Sequence, residues 1–391
     1  MNILIVSNMF PPIATGSSHY AADLAQTLTE AGHNVTVLTV QLKKHDTSLD
    51  SDACYKIVRL PALHLEIKGM FKWFTVVTHN PLNYFRYVRL LKQHKIDVVH
   101  QVNHYLDTAV MTRIVCKMVG VPYVCSIHTL IDIQSKLKAP IVKLVDRLLC
   151  GMFILGGADK IVALDLEIVR YLTETHGSHR IEGNYLISPH GIDLDKVELI
   201  TKKDYKLGNL IVSIGHVIKQ RNRMMLIKAM KKVVAKFPDV KLEIIGHVYI
   251  QEPLDHVREL GLEGNIVFRG EMSHNETLKR LTQADCHAVW IDSKYAGAGT
   301  AVTESMLCGV PVLNNSPESL LGELPLRDMK NYIKVDKNDP DQIADRILAL
   351  MESQEVREKI GKGGMDFVKN HMDLRKVRQD LIDLYSDLSR N

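Results

Sequence analysis

Between Ser293 and Val312 the chain reads Ser-Lys-Tyr-Ala-Gly-Ala-Gly-Thr-Ala-Val-Thr-Glu-Ser-Met-Leu-Cys-Gly-Val-Pro-Val. An apolar run ends just before it at Trp290, Gly297 and Gly299 fall in the loop that follows, and a helix is predicted from about Thr300 with Glu304 one turn inside. Glycine lets backbone N–H groups come close to a ligand, and a helix start carries unpaired donors and the positive end of its dipole. Such a pattern can cradle a phosphate or a sugar. The glycines alone would also fit an ordinary loop-to-helix turn; Glu304 and the Gly309-Val310-Pro311 turn behind the helix favour binding.

Other patterns fall away. Gly361-Lys362-Gly363-Gly364 lacks the upstream Gly and the following Ser/Thr of a phosphate-binding P-loop, and it reads as a link between helices. No G-x-G-x-x-G follows a strand, which gives a nicotinamide or flavin site little support. Asp50-Ser51-Asp52 and Asp193-Leu194-Asp195 match the short D-x-D pattern of metal-dependent sugar-nucleotide enzymes, which chance supplies often. The six cysteines, Cys54, Cys116, Cys125, Cys150, Cys286 and Cys308, show no metal-ligand spacing, so they read as reduced thiols of a cytosolic chain and no metal site is expected.

The elements that must position these residues alternate. Asn2 to Ser7 is a short apolar strand, followed by a Pro/Gly loop with Pro11, Pro12 and Gly16 and a helix carrying Ala21, Leu24, Ala25 and Leu28 on one face. Further strands are predicted at Val35–Val40, Val98–His100, Tyr123–Ile127, Ile161–Leu164 and Tyr185–Ile187. After a polar lapse near residue 205, a second series follows at Leu210–Ile214, Lys241–Ile245, Ile266–Phe268, Cys286–Trp290 and Val310–Leu313. Helices are predicted at about 223–236, 274–283 and 300–308, and over the last 40 residues. Short strands apolar on both faces, separated by helices, belong to parallel sheets covered on both sides. The fold class is therefore α/β with two doubly wound Rossmann-like domains, 1–200 and 207–371, and a final helix, 372–391, returning to the first; a ligand is expected at the carboxyl ends of the strands.

Composition agrees with this reading: 46% hydrophobic and 24% charged residues suit a globular chain of two domains. The net charge of +4 splits evenly, 20 − 18 in residues 1–200 and 29 − 27 in 201–391, which argues against a nucleic-acid-binding arm. The longest apolar stretch, Leu148 to Ala158, is far short of the roughly 20 residues a membrane-spanning helix requires.

Taken in order, these stretches resemble the retaining glycosyltransferases of family 4, which have the GT-B fold. Ser293–Val312 is similar to the second half of that family's E-x7-E signature, and Asn2–Gly32 to its first strand, loop and helix. Val121-Pro122 to His128 resembles its P-x-x-x-x-x-H strand, and Ser188-Pro-His-Gly-Ile-Asp193 its P-N-G-V-D turn. Ile211 to Gly215 with Arg221 is similar to its G-R-L-x-x-x-K element, and Ile266 to Gly270 to its V-x-F-x-G strand.

The resemblance implies a metal-independent, retaining transfer of a sugar from a nucleoside diphosphate, UDP or GDP, to a hydroxyl of a saccharide or lipid-linked acceptor in surface-polysaccharide assembly, with no other cofactor. It implies that Gly16 lets the first loop approach the donor, that His128 hydrogen-bonds the donor sugar, and that Arg221, beside Gly215, offsets charge on the departing diphosphate. Glu304 would take the ribose hydroxyls, the backbone of Arg269, Gly270 and Met272 the base, and the Gly297-Ala298-Gly299-Thr300 turn the phosphates. Two positions depart from the pattern: Ala296 stands eight residues before Glu304, where the family has a sugar-binding Glu, and His216 stands where it has an Arg. An epimerase of the same fold and a catalytically silent sugar-nucleotide-binding protein remain alternatives.

From Lys56 to Lys95 eight basic residues face one acidic residue, Glu66, among Phe71, Trp73, Phe74, Tyr84, Phe85 and Tyr87. Two readings stand: a pair of surface helices with some aromatics in the core, or a contact with anionic lipid that would hold a cytoplasmic protein on the inner face of a membrane.

Overall fold

The structure is a computed structural model that describes residues 1–13, 15–41, 48–64, 76–104, 107–128, 130, 143–178, 181–194, 201, 204–295, 297–324 and 326–390. Two compact units make it up: Met1–Pro189 with Val377–Asn391, and His190–Lys376. The first crossing lies at 189/190 instead of 200, because Ile192 already belongs to the second unit. Its N–H donates to the Met372 carbonyl at 2.8 Å, and the Leu374 N–H returns to the Ile192 carbonyl at 3.0 Å. Gly191 makes that approach possible; a Cβ there would come 2.6 Å from Leu374 Cα.

In unit 1, β1 (Asn2–Val6) leads into α1 (Gly16–Glu30), whose start is capped by Thr15 Oγ1 accepting from the Ser18 N–H at 3.2 Å. The chain continues through β2 (Asn34–Gln41), β3 (Lys56–Pro61), the small antiparallel pair β4 (Leu63–His64) and β5 (Val76–Val77), and α2 (Pro81–Gln93). It goes on through β6 (Val98–Val102), α3 (Asp107–Val119), β7 (Tyr123–Ile127), a π-helix (Asp146–Ile154), β8 (Lys160–Ala163), α4 (Leu166–His176) and β9 (Tyr185–Ile187). Seven strands form one parallel sheet in the order β3-β2-β1-β6-β7-β8-β9. The order reverses between β1 and β6, which opens the carboxyl ends of those strands to a ligand.

The segment from Lys56 is a strand and not the first of two surface helices. Ile57, Val58 and Leu60 favour extended backbone, and the Arg59 guanidinium is drawn inward onto Asp50 at 2.6 Å and the Pro11 carbonyl at 2.7 Å. Lys68, Phe71, Lys72, Trp73 and Phe74 lie outside the described residues.

Unit 2 runs β10 (Leu210–Ile214), α5 (Arg223–Lys236), β11 (Lys241–Ile245), α6 (Glu252–Glu259), β12 (Ile266–Gly270), α7 (His274–Thr282), β13 (Cys286–Ala288), α8 (Thr300–Leu307), β14 (Val312–Asn314), β15 (Ile333–Lys334), α9 (Pro340–Glu352) and α10 (Gln354–His371). Its six-stranded sheet is also parallel, in the order β12-β11-β10-β13-β14-β15, and reverses between β10 and β13. Side chains of β10 alternate between two apolar clusters: Ile211 packs with Leu226, Met230 and Ile347 on one face, Leu210 and Val212 with Leu281, Met306 and Phe367 on the other. A strand so covered has no polar face, as its sequence requires. Charges are carried inside too: Glu243 of β11 is buried and its carboxylate accepts from Arg280 at 2.6 and 2.7 Å and from Arg269. Those hydrogen bonds, Arg280's first, hold its pKa down at about 2 against the upward push of burial.

The last helix, α11 (Leu374–Arg390), gives its residues from Val377 onward to unit 1, where Leu381 and Tyr385 join the cluster of Ile3, Ile5, Leu24 and Val98.

Gly361-Lys362-Gly363-Gly364 lies inside α10 and not between helices. The glycines are there for close packing. A Cβ at Gly361 would meet the Gly309 carbonyl oxygen at 2.3 Å and Tyr205 at 2.5 Å, and one at Gly363 would meet the Lys330 carbonyl oxygen at 2.2 Å. Gly361→Ala, which at an open helix position gains about 1 kcal/mol of propensity, is therefore expected to lower the unfolding free energy by about 1–3 kcal/mol through overpacking. Urea unfolding checks the sign, and a more stable variant would mean that α10 does not approach so closely.

Candidate functional site

Three strand ends build the site in unit 2. Gly215 follows β10, Gly246 follows β11 and Gly270 closes β12, with φ of 121°, 143° and 71°. Gly246 donates its N–H to the Gly270 carbonyl and Gly215 donates its N–H to the Ile245 carbonyl, both at 2.8 Å. A Cβ on Gly246 would sit 2.6 Å from the Gly215 carbonyl oxygen, so only glycine permits this backbone-to-backbone contact.

Two guanidinium groups flank Gly215. A Cβ built there would lie 3.3 Å from Arg221 Nε and 3.4 Å from Arg223 Nη2. Arg223, the first residue of α5, is buried; its Nη2 donates to the carbonyls of Ile214 at 3.1 Å and Gly215 at 2.9 Å, and its Nη1 to Ser213 Oγ. Burial, and then Arg221, push Arg223 down to about 9, and burial alone lowers Arg221. Both stay cationic at neutral pH. Among the described residues no carboxylate forms an ion pair with either. Two adjacent cations, Arg223 buried and Arg221 half-buried, without a carboxylate partner are unfavourable by themselves and favourable to an incoming anion.

Beneath them His287 of β13 is neutral, its pKa pushed down to about 3 by burial and then by Arg223 and Arg221. Its Nε2 accepts the Ile214 N–H at 3.2 Å, so Nδ1 carries the proton and donates to Ser305 Oγ at 2.7 Å, which in turn donates to the Ala301 carbonyl at 2.6 Å. This chain ties β10 and β13 to the first turn of α8.

At the β10–β13 switch point Arg221 shares one hollow with Val289, Ile291, Gly297, Gly299, Thr300 and Asn314. No side chain caps α8, whose Ncap is Gly299, so its first N–H groups remain for a ligand beside Arg221. The Asn314 amide is fixed by donating to the Val289 carbonyl at 2.8 Å and accepting from the Ser316 N–H at 2.8 Å. The site is thus a cationic, donor-lined recess suited to a phosphate group.

The remaining residues singled out in the sequence lie as follows. Glu304 Oε1 accepts from His274 Nε2 at 3.0 Å. Arg269 is occupied by Glu243, the Gly270 carbonyl by Gly246, and Ala298 and Met272 pack on the apolar cluster around Met306. His216 turns its Nδ1 to the His247 N–H at 3.1 Å and its ring edge to Tyr249. Ala296 lies outside the described residues. In unit 1, Gly16 opens α1 with no atom within 4 Å of where its Cβ would be. His128 follows β7; its N–H donates to Asn103 Oδ1 at 3.1 Å, its Nε2 lies 2.9 Å from Ser126 Oγ, and its ring rests 4.0 Å from that of buried Tyr20, which Arg378 of α11 covers at 4.6 Å. Sequence reasoning missed Arg223, His287 and Gly246. Arg223 was hidden in the basic run Lys219–Arg223; a glycine after a strand and a histidine inside an apolar one were the available signals.

A family model described as "Glycosyltransferase Family 4" matches residues 14–196, and one described as "Glycosyl transferases group 1" matches residues 198–366. An uncharacterized glycosyltransferase of Methanocaldococcus jannaschii is 25% identical over 239 residues, 58% of this chain and 61% of that protein. A phosphatidyl-myo-inositol mannosyltransferase of Mycobacterium tuberculosis is 24% identical over 56% of this chain and 57% of its own. The chain thus matches about three fifths of the length of these relatives. Among solved structures, Anabaena HepE in complex with UDP and glucose superimposes with a TM-score of 0.72 at 17% identity, over 99% of this chain and 100% of its own. A Rickettsia africae glycosyltransferase does so with 0.74 at 15%, over 100% and 99%.

If the recess takes phosphate, inorganic pyrophosphate should raise the melting temperature of the wild type. Arg221→Ala should weaken that binding about tenfold or more, the worth of a charged hydrogen bond, in a titration followed by thermal shift. Equal affinity in both proteins would remove Arg221 from the anion site.

Proposed function

The chain belongs to glycosyltransferase family 4, of the GT-B fold with two Rossmann-like domains, and on that premise we propose that it transfers a sugar, with retention, from a nucleoside diphosphate to an acceptor hydroxyl. The observation that carries this reading is the Arg221–Arg223 pair beside the uncapped start of α8. As the bond from the anomeric carbon to the diphosphate oxygen breaks, negative charge grows on the leaving group, and the Arg221 guanidinium with the α8 N–H groups meets it, with the charge of buried Arg223 behind. The acceptor oxygen forms the new bond to the same carbon, and its proton passes to a diphosphate oxygen. No protein nucleophile takes part. With two fixed cations at the diphosphate, no metal ion is called on there. Glu304, released from His274, would accept hydrogen bonds from the ribose hydroxyls, and His128 would offer its imidazole to the transferred sugar.

The acceptor on this reading is a saccharide or a lipid-linked saccharide of surface-polysaccharide assembly. In support, one relative is named a phosphatidyl-myo-inositol mannosyltransferase and another a capsular polysaccharide biosynthesis glycosyltransferase. On α2, Leu82, Phe85, Arg86, Arg89 and Lys92 are exposed together, an apolar and basic face suited to an anionic lipid surface. No helix among the described residues is long and apolar enough to cross a membrane.

Incubation with UDP- and GDP-sugars should release nucleotide faster when a saccharide acceptor is present, with an α-linked product from an α-linked donor by NMR and no increase on adding Mg2+ or Mn2+. Arg221→Ala should cut kcat/KM about a hundredfold, on the scale of one oxyanion-type contact. Release that ignores every acceptor, or a product of inverted configuration, would overturn the proposal.

Flotation should carry the protein with anionic vesicles at low salt, and Phe85→Ser with Arg89→Glu should abolish it. Equal recovery with neutral vesicles would leave α2 an ordinary surface helix.

A further inference from the structure

Away from the anion recess, unit 1 encloses a second set of chemically active side chains. His104 follows β6, Asp146 and Cys150 stand four residues apart on the π-helix, and all three are buried. Their nearest ligating atoms, a ring nitrogen, a carboxylate oxygen and the sulfur, lie within 4.8 Å of one another. A fourth group closes the set: His176, the last residue of α4, is buried and places Nε2 3.6 Å from Asp146 Oδ2. The rings of His104 and His176 meet edge to face with centroids 6.4 Å apart.

The surrounding backbone is shaped to this cluster. Gly151 lies against the His176 ring, where a Cβ would come within 2.4 Å of Nδ1, so the π-helix can press onto the histidine only because it has no side chain at that position. In a wound-out helix of this kind, residues four apart fall within one turn and share a face, and such helices recur at functional sites. Asp146 is oriented from outside the set by the Tyr171 hydroxyl, which donates to Oδ2 at 3.4 Å, the arrangement in which a metal-bound carboxylate is usually held.

We propose that His104, Asp146, Cys150 and His176 form a structural site for a divalent transition-metal ion, with zinc the best match. Two imidazoles, a carboxylate and a thiolate are the donors zinc takes in closed four-coordinate sites, and softer or harder ions prefer purer sulfur or oxygen sets. Ligand atoms on one tetrahedral zinc are about 3.3–3.7 Å apart, so His104, Asp146 and Cys150, now within 4.8 Å of one another, must draw in by little more than about 1 Å, with the His176 ring turning in from beside Asp146. The ion would pin the loop after β6, the π-helix and α4 together. It lies beside the site residues of unit 1, since Asn103, which holds the His128 N–H, is the neighbour of His104. Its role is separate from the transfer reaction and does not rest on that proposal.

The full-length protein, purified without a polyhistidine tag, should contain about one zinc per chain by elemental analysis. After unfolding with a chelator and refolding with Co2+, it should show the visible bands of tetrahedral cobalt and a thiolate-to-cobalt charge-transfer band in the near ultraviolet. Cys150→Ser should lose the charge-transfer band while the other five cysteines remain, and His104→Gln should lower the zinc content and the melting temperature. Refolding wild type without metal should lower its melting temperature, and added zinc should restore it. These readouts do not use activity, so they stand whether or not transfer is found. A wild-type protein that refolds fully, carries less than about a tenth of an equivalent of zinc and gives no thiolate band with Co2+ overturns the proposal. So does a band that survives Cys150→Ser.

Discussion

Gly246 approaches Gly215 so closely that a methyl group on it would lie 2.6 Å from the Gly215 carbonyl oxygen, and much of unit 2 follows from that contact. With Gly270 holding Gly246 from the other side, the carboxyl ends of three adjacent parallel strands are drawn together. The space left above Gly215 is where Arg221 and Arg223 stand. Any side chain at Gly215 would enter it, and any at Gly246 would push the strand ends apart.

A second consequence is electrostatic. The strand ends put the Arg221 guanidinium into a half-dry recess with that of buried Arg223 behind it, a placement that costs stability until an anion arrives. The fold limits that cost with hydrogen bonds rather than with carboxylates: Arg223 is held by the carbonyls of Ile214 and Gly215 and by Ser213, and the histidine below it stays neutral. A carboxylate partner would have met the charge and also filled the place of the ligand. Elsewhere in the same sheet the opposite solution appears, where Glu243 is paired with Arg280 and Arg269 across β11, β12 and α7. The difference between a paired charge and an unpaired one separates a structural ion pair from a binding site within one sheet.

The glycines of this chain serve distinct physical ends that composition alone does not separate. Gly191 and Gly361 permit close packing of backbone on backbone, Gly151 makes room for an imidazole, and Gly299 opens a helix without a capping side chain. In α10 this overrides helix propensity: a Gly-Lys-Gly-Gly run that reads as a break in a helix is continuous helix because the glycine face has carbonyl oxygens against it.

What the amino-acid sequence determined by itself is the alternation of buried strands and helices and the existence of two parallel sheets, because a strand apolar on both faces can be satisfied only between two layers. Leu210–Ile214, Lys241–Ile245 and Tyr123–Ile127 are strands over the residues their apolar runs mark. The loop, glycines and helix start at Gly297, Gly299 and Thr300 were legible too, since they are adjacent in the chain; the structure sets them in one hollow with Arg221. Two strands at sheet edges, β3 and β15, were not legible: β3 mixes Lys56 and Arg59 with its apolar residues and buries only Leu60, and β15 is two residues long. Tertiary structure alone decided that Arg223 is buried beside Arg221 and not part of a solvated basic face, that His287 is a neutral link under the site, and that His104, Asp146, Cys150 and His176 meet. Those residues stand far apart in sequence or in an unremarkable context, and their chemistry depends on distance and burial, which only the packing of the elements sets.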